Sequence, residues 1–242
     1  MNVKLLTYTP SPDWVCATAA GMCTHKGPSI RHALEGHDPA KGGTYAAKGG
    51  YATTRVLRAA MKSGHTSVAE HAAFTFEIRG ISRVTLQQLV RHRHASYSVE
   101  SQRHVSIESL TERCVIPESF DRLGVDVRPL LAELQHTYEL LMAAGVPMED
   151  ARYVLPEGAC TNLVLTMNAR ELRHFFRLRC CNRAQWEIRA LADAMLALCR
   201  QAAPVLFERC GAPCQCGEPC PEVRGCGHPR TADAVEVPDA GD

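Results

Sequence analysis

Arg91-His92-Arg93-His94-Ala95-Ser96-Tyr97-Ser98-Val99-Glu100-Ser101-Gln102-Arg103 packs three arginines, two imidazoles and three serine hydroxyls into thirteen positions. Guanidinium groups offer planar, bidentate donors that match a phosphate or a carbonyl edge, and serine hydroxyls fill the remaining acceptor positions of a nucleotide phosphate. The chemistry such a run supports is anion binding. A second basic set follows later in the chain: Arg170, His174 and Arg177 lie four and three apart and so share one helical face, with Arg179 beyond them toward the helix end. Alone, that face reads as a solvated basic surface partnered by Glu171 and Glu187. Beside another arginine-rich element it reads as a candidate site.

The elements that must position these residues follow from periodicity. Residues 3–8 form an opening strand, and Gly27 to Gly50, rich in Gly, His and Pro, reads as loop. Val56, Leu57 and Ala60 set a helix over Tyr51–Met61 that stops near Ser63-Gly64, and Phe74, Phe76 and Ile78 alternate with polar side chains in a half-buried strand over Ala72–Ile78. Ser82 caps a helix carrying Val84, Leu86, Leu89 and Val90, which delivers the chain to Arg91. Val125–Ala144 is the clearest amphipathic helix, with Leu130, Leu134, Leu141 and Ala144 inward and Gly145 just past its end. Pro147 opens a short helix bearing Arg152. Strand Leu163–Met167 leads into a helix over Ala169–Cys181, and another helix spans Gln185–Gln201. Mixed strands and helices of this kind make the class α+β.

The 242 residues, 45% hydrophobic, suffice for one sizeable core. They divide into a main domain, 1–207, and a tail, 208–242, that is cysteine-rich and then disordered from Asp233. A net charge of +1 makes the cationic runs local, and 6% aromatic content leaves few rings for stacking bases; both argue against a nucleic-acid-binding module. No apolar span is long enough for a signal peptide or a membrane crossing, which suggests a cytoplasmic protein whose twelve cysteines stay reduced. Neither a Walker loop nor GxGxxG is present, so a bound nucleotide or flavin needs another geometry.

Arg91-His92-Arg93, followed after seven residues by Ser101, resembles the signature of the flavin-dependent thymidylate synthases. Further blocks agree in order: Gly64-His65, Glu70-His71, Gln88, Ala151-Arg152-Tyr153-Val154-Leu155-Pro156, Asn168-Ala169-Arg170-Glu171-Leu172, Leu178-Arg179 and Ala184-Gln185-Trp186-Glu187. The resemblance implies an α+β protomer with a central, mostly antiparallel sheet packed with helices. It implies methylation of dUMP to dTMP with 5,10-methylenetetrahydrofolate as carbon donor, FAD as hydride carrier and NADPH as reductant. It also implies a homotetramer with active sites shared between subunits.

Residue by residue, the resemblance places Ser67, Arg91, His92, Arg93, Val99, Asn168, Arg170 and His174 at the flavin. It places Gln88, Arg91, Glu100, Ser101, Gln102, Arg103, Arg152 and Arg179 at dUMP. Arg179 is the expected catalytic residue: its guanidinium stays protonated and cannot act as a base, but it can stabilise negative charge developing on the uracil ring. Ser101 reads as a ligand-binding hydroxyl, since serine is a poor nucleophile without an adjacent base. His65 reads equally as a stacking partner for a flat ring and as a loop residue, and His71 as a local hydrogen bonder. A rival mechanism would use a cysteine nucleophile, for which Cys180 and Cys181 beside Arg179 are the candidates.

Two departures stand out. Ser98-Val99 occupies positions where many members carry Asn then Glu, so either Glu100 reaches the site from the next position or backbone groups at 99 and 100 do the binding. The tail crowds Cys210, Cys214, Cys216, Cys220, Cys226 and His228 into nineteen residues. Thiolates and an imidazole at that density can enclose zinc, but the paired C-x2-C spacing is missing, and flexible reduced cysteines are the alternative.

Overall fold

The computed structural model describes residues 1–24 and 50–231. The expected loop from Gly27 to Gly50 and the expected disorder from Asp233 fall outside them, apart from Gly50, which opens a helix. Four strands, β1 (Asn2–Tyr8), β2 (Ala73–Ser82), β3 (Ala95–Val99) and β4 (Cys160–Asn168), form one sheet in the order β1-β2-β4-β3. The sheet is antiparallel and packed by helices, as expected. Register between β2 and β4 is held by Thr75 and Thr166, whose hydroxyls lie 2.9 Å apart, and by the Gly80 amide, which donates to Asn162 Oδ1 at 3.0 Å.

The helices are α1 (Pro12–Thr24), α2 (Gly50–Lys62), α3 (Arg83–Leu89), α4 (Glu118–Arg122), α5 (Arg128–Ala143), α6 (Met148–Ala151), α7 (Ala169–Arg179) and α8 (Trp186–Ala202). Short 3-10 turns cover Thr66–His71, Arg152–Val154 and Pro213–Cys216. Contacts gather into two compact units, one of Met1–Asn2, Glu77–Arg91 and Tyr97–Val164, the other of Val3–Phe76, His92–Ser96 and Leu165–Asp242.

In the first unit, Ile107, Leu110, Leu131 and Ala159 form a core on which Val127, Leu134 and Leu155 pack. The buried side of α5 is Leu131 and Tyr138 with Leu134 and Leu141 half-buried, whereas Leu130 and Ala144 are exposed. The expected inward face is therefore rotated at its start. Its cause is the helix beginning at Arg128-Pro129 rather than at Val125, because Gly124 at φ +69° closes α4 first and Pro129 sets the new first turn. Gly145, at φ +84°, ends α5 where the sequence places it.

In the second unit, Phe74, Phe76, Phe175, Phe176 and Phe207 are fully buried. The Phe207 ring meets Phe74 edge-on at 5.4 Å and Phe176 at 6.0 Å. Helix α7 is capped by Asn168, whose Oδ1 accepts from the Glu171 amide at 2.9 Å, and α8 by Gln185, whose Oε1 accepts from Glu187 and Ile188 at 3.1 Å. Helix α1 has no counterpart in the periodicity reading, because its buried positions are Cys16, Ala17 and Ala20, small residues that leave a faint pattern. Strand β3, inside the arginine run, is likewise new.

Residues 208–231 stay packed on this unit: Cys210, Ala212, Pro213 and Gln215 are buried, and Arg230 pairs with Asp193 at 2.8 Å. Phe207→Ala should therefore cost about 3–5 kcal/mol by cavity formation, while Val223→Ala on the exposed stretch should stay within about 0.5 kcal/mol. Urea denaturation of the two variants checks this, and a Phe207→Ala midpoint equal to wild type would place the residue outside the core.

Candidate functional site

The first unit gathers one basic set. Ser82 Oγ accepts the Thr85 amide at 3.0 Å and starts α3, putting Arg83 in its first turn. Arg83 donates Nη2 to Gln102 Oε1 at 2.8 Å, and burial, reinforced by the neighbouring Arg152 cation, lowers the pKa of its guanidinium. Arg152 donates Nε to the Glu149 carbonyl at 3.0 Å, and Arg103 pairs with the Glu149 carboxylate at 2.6 Å. Arg103 and Arg152 thus meet at Glu149, and Gln102 is joined by Arg83, a residue the sequence reading does not include. The signal for Arg83 lay in its position: a cation in the first turn of a helix opposes the helix dipole and needs another reason to be there.

The turn after β3 is fixed from within. Ser101 Oγ accepts the Arg103 amide at 3.2 Å, and the Ser101 carbonyl accepts the His104 and Val105 amides at 3.1 and 2.9 Å. The Glu100 amide donates to the Asn162 carbonyl at 2.8 Å, and its carboxylate binds Arg113 at 2.7 Å and the Asn162 side-chain amide. Glu100 is thereby committed to holding the turn. Val99 is half-buried in β3, Arg91 is exposed, and Gln88 makes a 3.4 Å bond back to the Val84 carbonyl.

The second unit gathers the other set around α7. His92, only 4% exposed, lies inward with its ring edge-on to Phe175 at 4.9 Å and to His174 at 5.9 Å. Arg179 donates Nε to His92 Nε2 at 3.1 Å, while Nδ1 faces the buried Glu171 carboxylate at 3.4 Å. An Nε2 that accepts cannot carry a proton, so this network assigns the single proton to Nδ1 and leaves the ring neutral. Glu171 favours a second proton, but that proton would have to enter where the guanidinium already stands. Burial first, then the Arg179 guanidinium and the neighbouring His174, hold the His92 pKa down to about 4. Burial also lowers the pKa of the Arg179 guanidinium.

Arg170 forms an ion pair with Glu70, and Arg170, His174 and Thr66 line a cavity of about 340 Å³. Arg93 and Ser67 are exposed in the same unit, as are His65 and His71. A second cavity of about 580 Å³ is lined by Arg179, Cys181, Cys214, Cys220, Cys226 and His228 among others. All twelve cysteines are free thiols. Among the described residues no three His, Cys, Asp or Glu side chains are placed to hold a metal, and no helix is long and apolar enough to cross a membrane.

These features define an α+β protein whose cationic sites are built from arginine side chains on helix faces and turns, without a glycine-rich phosphate loop. Residues 4–205 match the family model described as "Thymidylate synthase complementing protein". The flavin-dependent thymidylate synthase of Geobacter sulfurreducens is 45% identical over 225 residues, covering 92% of this chain and 91% of that protein. That of Nitratidesulfovibrio vulgaris is 39% identical over 91% of both. The Helicobacter pylori enzyme, solved in complex with FAD and dUMP, superposes with a TM-score of 0.62 at 29% identity, covering 87% of this chain and all of that one. The chain belongs to the flavin-dependent thymidylate synthase family.

The neutral His92 has a consequence for stability. In the unfolded chain its imidazole takes up a proton near pH 6.5, but in the folded protein only near pH 4. Its contribution therefore favours folding fully above pH 6.5 and is lost as pH falls through that window, by about 3 kcal/mol. NMR titration should show His92 neutral down to about pH 4, and His92→Gln should flatten the corresponding part of the stability profile; a wild-type ring titrating near 6.5 would reject the assignment.

Proposed function

We propose that the protein is a flavin-dependent thymidylate synthase that reductively methylates dUMP to dTMP, with 5,10-methylenetetrahydrofolate as carbon donor and NADPH as reductant. FAD, when bound, supplies hydride-transfer chemistry. The observation that carries the reading is that Arg103 and Arg152 share Glu149 in the first unit, while Arg179, His92, His174 and Arg170 gather around α7 in the second.

In the first set, Arg103 and Arg152 suit the phosphate and uracil carbonyls of dUMP. Both now lean on Glu149, Arg103 on its carboxylate and Arg152 on its backbone carbonyl, and a phosphate at that position would replace the carboxylate as the partner of Arg103 and draw the free end of the Arg152 guanidinium. Ser101 and Gln102 contribute backbone and hydroxyl donors from a turn already fixed by Glu100, Arg113 and Asn162, with Arg83 orienting Gln102. Gln88 and Arg91 complete the dUMP contacts.

In the second set, Arg170, His174 and Thr66 surround a cavity whose cationic lining fits the phosphates of FAD. Asn168, Ser67 and Arg93 are further flavin contacts from this unit in this reading, and Val99 of the first unit is assigned to the flavin by the resemblance alone. His92 is a positioning residue: buried beneath Arg179, it fixes the guanidinium through Nε without competing for positive charge. Arg179 then stabilises the negative charge that develops on uracil when N3 is ionised or C5 becomes nucleophilic, in a partly desolvated position where that interaction is stronger. The assembly proposed is a homotetramer with active sites shared between subunits.

Arg179→Ala should lower turnover by about 10²–10³ and weaken dUMP binding, whereas Arg170→Ala should act through FAD, raising its dissociation constant about tenfold. Separate titrations with FAD and dUMP check the split, and normal FAD affinity in the Arg170 variant would contradict it. A cysteine mechanism is disfavoured by Cys180, whose thiol pKa is pushed far up by burial and by Asp193. The Cys180→Ala, Cys181→Ala double variant should keep dTMP formation within about threefold of wild type. Loss of activity with FAD and dUMP still bound would reinstate a thiol nucleophile.

A further inference from the structure

The family model ends at residue 205 while the similarity to the Geobacter sulfurreducens protein covers 92% of the chain, and the segment after 205 is held in place by charged side chains gripping its backbone. The Asp13 carboxylate accepts the amides of Val205 and Leu206 at 3.0 and 2.9 Å. Arg173 on α7 donates to the carbonyls of Leu206 and Arg209, and Arg200 on α8 donates to those of Phe207 and Cys210 at 3.4 and 2.7 Å. Gly211 sits at φ +135°, and a Cβ there would stand 2.8 Å from Gln215 Oε1, so the segment is also sterically confined.

This grip sets Arg209 and Glu218 against the 340 Å³ cavity that Arg170 and His174 line from α7. The lining then holds four arginines, 170, 173, 177 and 209, and one carboxylate, Glu218. Glu218 pairs with Arg177 at 2.6 Å with both side chains nearly half exposed, a solvent-screened ion pair that an incoming anion displaces at little cost. Arg209 donates to the Cys216 carbonyl at 3.0 Å, which aims it along the same segment. At about 340 Å³ the cavity is at the low end of ligand sites, roughly 300–1,000 Å³, and takes part of a dinucleotide rather than all of it. The part that matches clustered guanidinium groups is the diphosphate.

We propose that residues 209–218, beyond the family model, form an outer wall of the FAD site, with Arg209 and Arg177 binding the cofactor diphosphate and Glu218 holding Arg177 until FAD displaces it. This rests on the flavin reading above and adds cofactor contacts from a segment that reading does not use. The test is titration of the flavin-free protein with FAD and with riboflavin, which has the same ring and no phosphate. Wild type, Arg209→Gln, Arg177→Gln and Arg170→Ala are compared, each with its thermal midpoint. Arg209→Gln and Arg177→Gln should each raise the FAD dissociation constant about tenfold and reduce its salt dependence, with riboflavin affinity and thermal midpoint unchanged. Normal FAD affinity in both, with weakened binding in Arg170→Ala, would overturn the wall while leaving the flavin reading intact. Equal weakening of FAD and riboflavin would overturn the diphosphate contact, and a wild-type protein that binds no FAD would overturn both readings.

Discussion

A guanidinium placed near developing negative charge is useful only if its direction is fixed, and in this protein the fixing group is an uncharged imidazole buried beneath it. A carboxylate in the place of His92 would bind Arg179 more strongly but would offset its positive charge. A protonated histidine would repel it. The arrangement of Glu171, His92 and Arg179 resolves this by letting Glu171 orient the ring through Nδ1 while Nε2 accepts from the guanidinium. Phe175 and His174 close around the imidazole and exclude the water that would support its protonation. Much of α7 follows from this need: Glu171, Phe175 and Arg179 recur at intervals of four, so one helical stripe carries the orienting acid, the apolar wall and the cation.

The same economy of charge explains how 27 basic side chains coexist with a net charge of +1 and no broad basic surface. Many arginines serve as clamps on backbone carbonyls. Arg173 and Arg200 hold the 206–210 turn, Arg189 binds the Asn182 carbonyl, Arg183 that of Arg224, and Arg230 that of Cys180 while pairing with Asp193. A guanidinium can satisfy carbonyls at a helix end while keeping its stem on apolar surface, which lysine does less well. Arginine count alone therefore could not separate the ligand-facing residues from the clamps.

What was legible in the sequence was what strong patterning or capping chemistry dictates. Helix α7, α8, β4, the Gly145 stop and the apolar alternation of β2 all arise from local rules that tertiary contacts reinforce, whereas the Asn168 cap of α7 emerges only in the structure. Helix α1 was not legible because alanine and cysteine bury little area and give no stripe, and its role depends on Asp13 meeting amides nearly two hundred residues away. The start of α5 differs from the expected Val125 because Pro129 lacks the amide that a helix begun there needs at its fifth residue, whereas it fits the first turn of a helix begun at Arg128. At the site, the arginine types were readable and their partners were not. Glu149, Arg113 and Asn162 enter through separations of 13 to 62 residues that no local spacing encodes.

The stretch Ser98-Val99-Glu100 shows how a departure from a family pattern can be absorbed. With the acid displaced by one position, strand alternation carries its side chain to the opposite side from Val99. There Glu100 meets Arg113 and Asn162, and Asn162 also receives the Gly80 amide, so the carboxylate stitches β2, β4 and the following turn. The displaced acid thus braces the turn that carries Ser101, Gln102 and Arg103. The thirteen-residue run is then two structural pieces in sequence: a buried imidazole that fixes a distant arginine, and a turn braced by Glu100, Arg113 and Asn162.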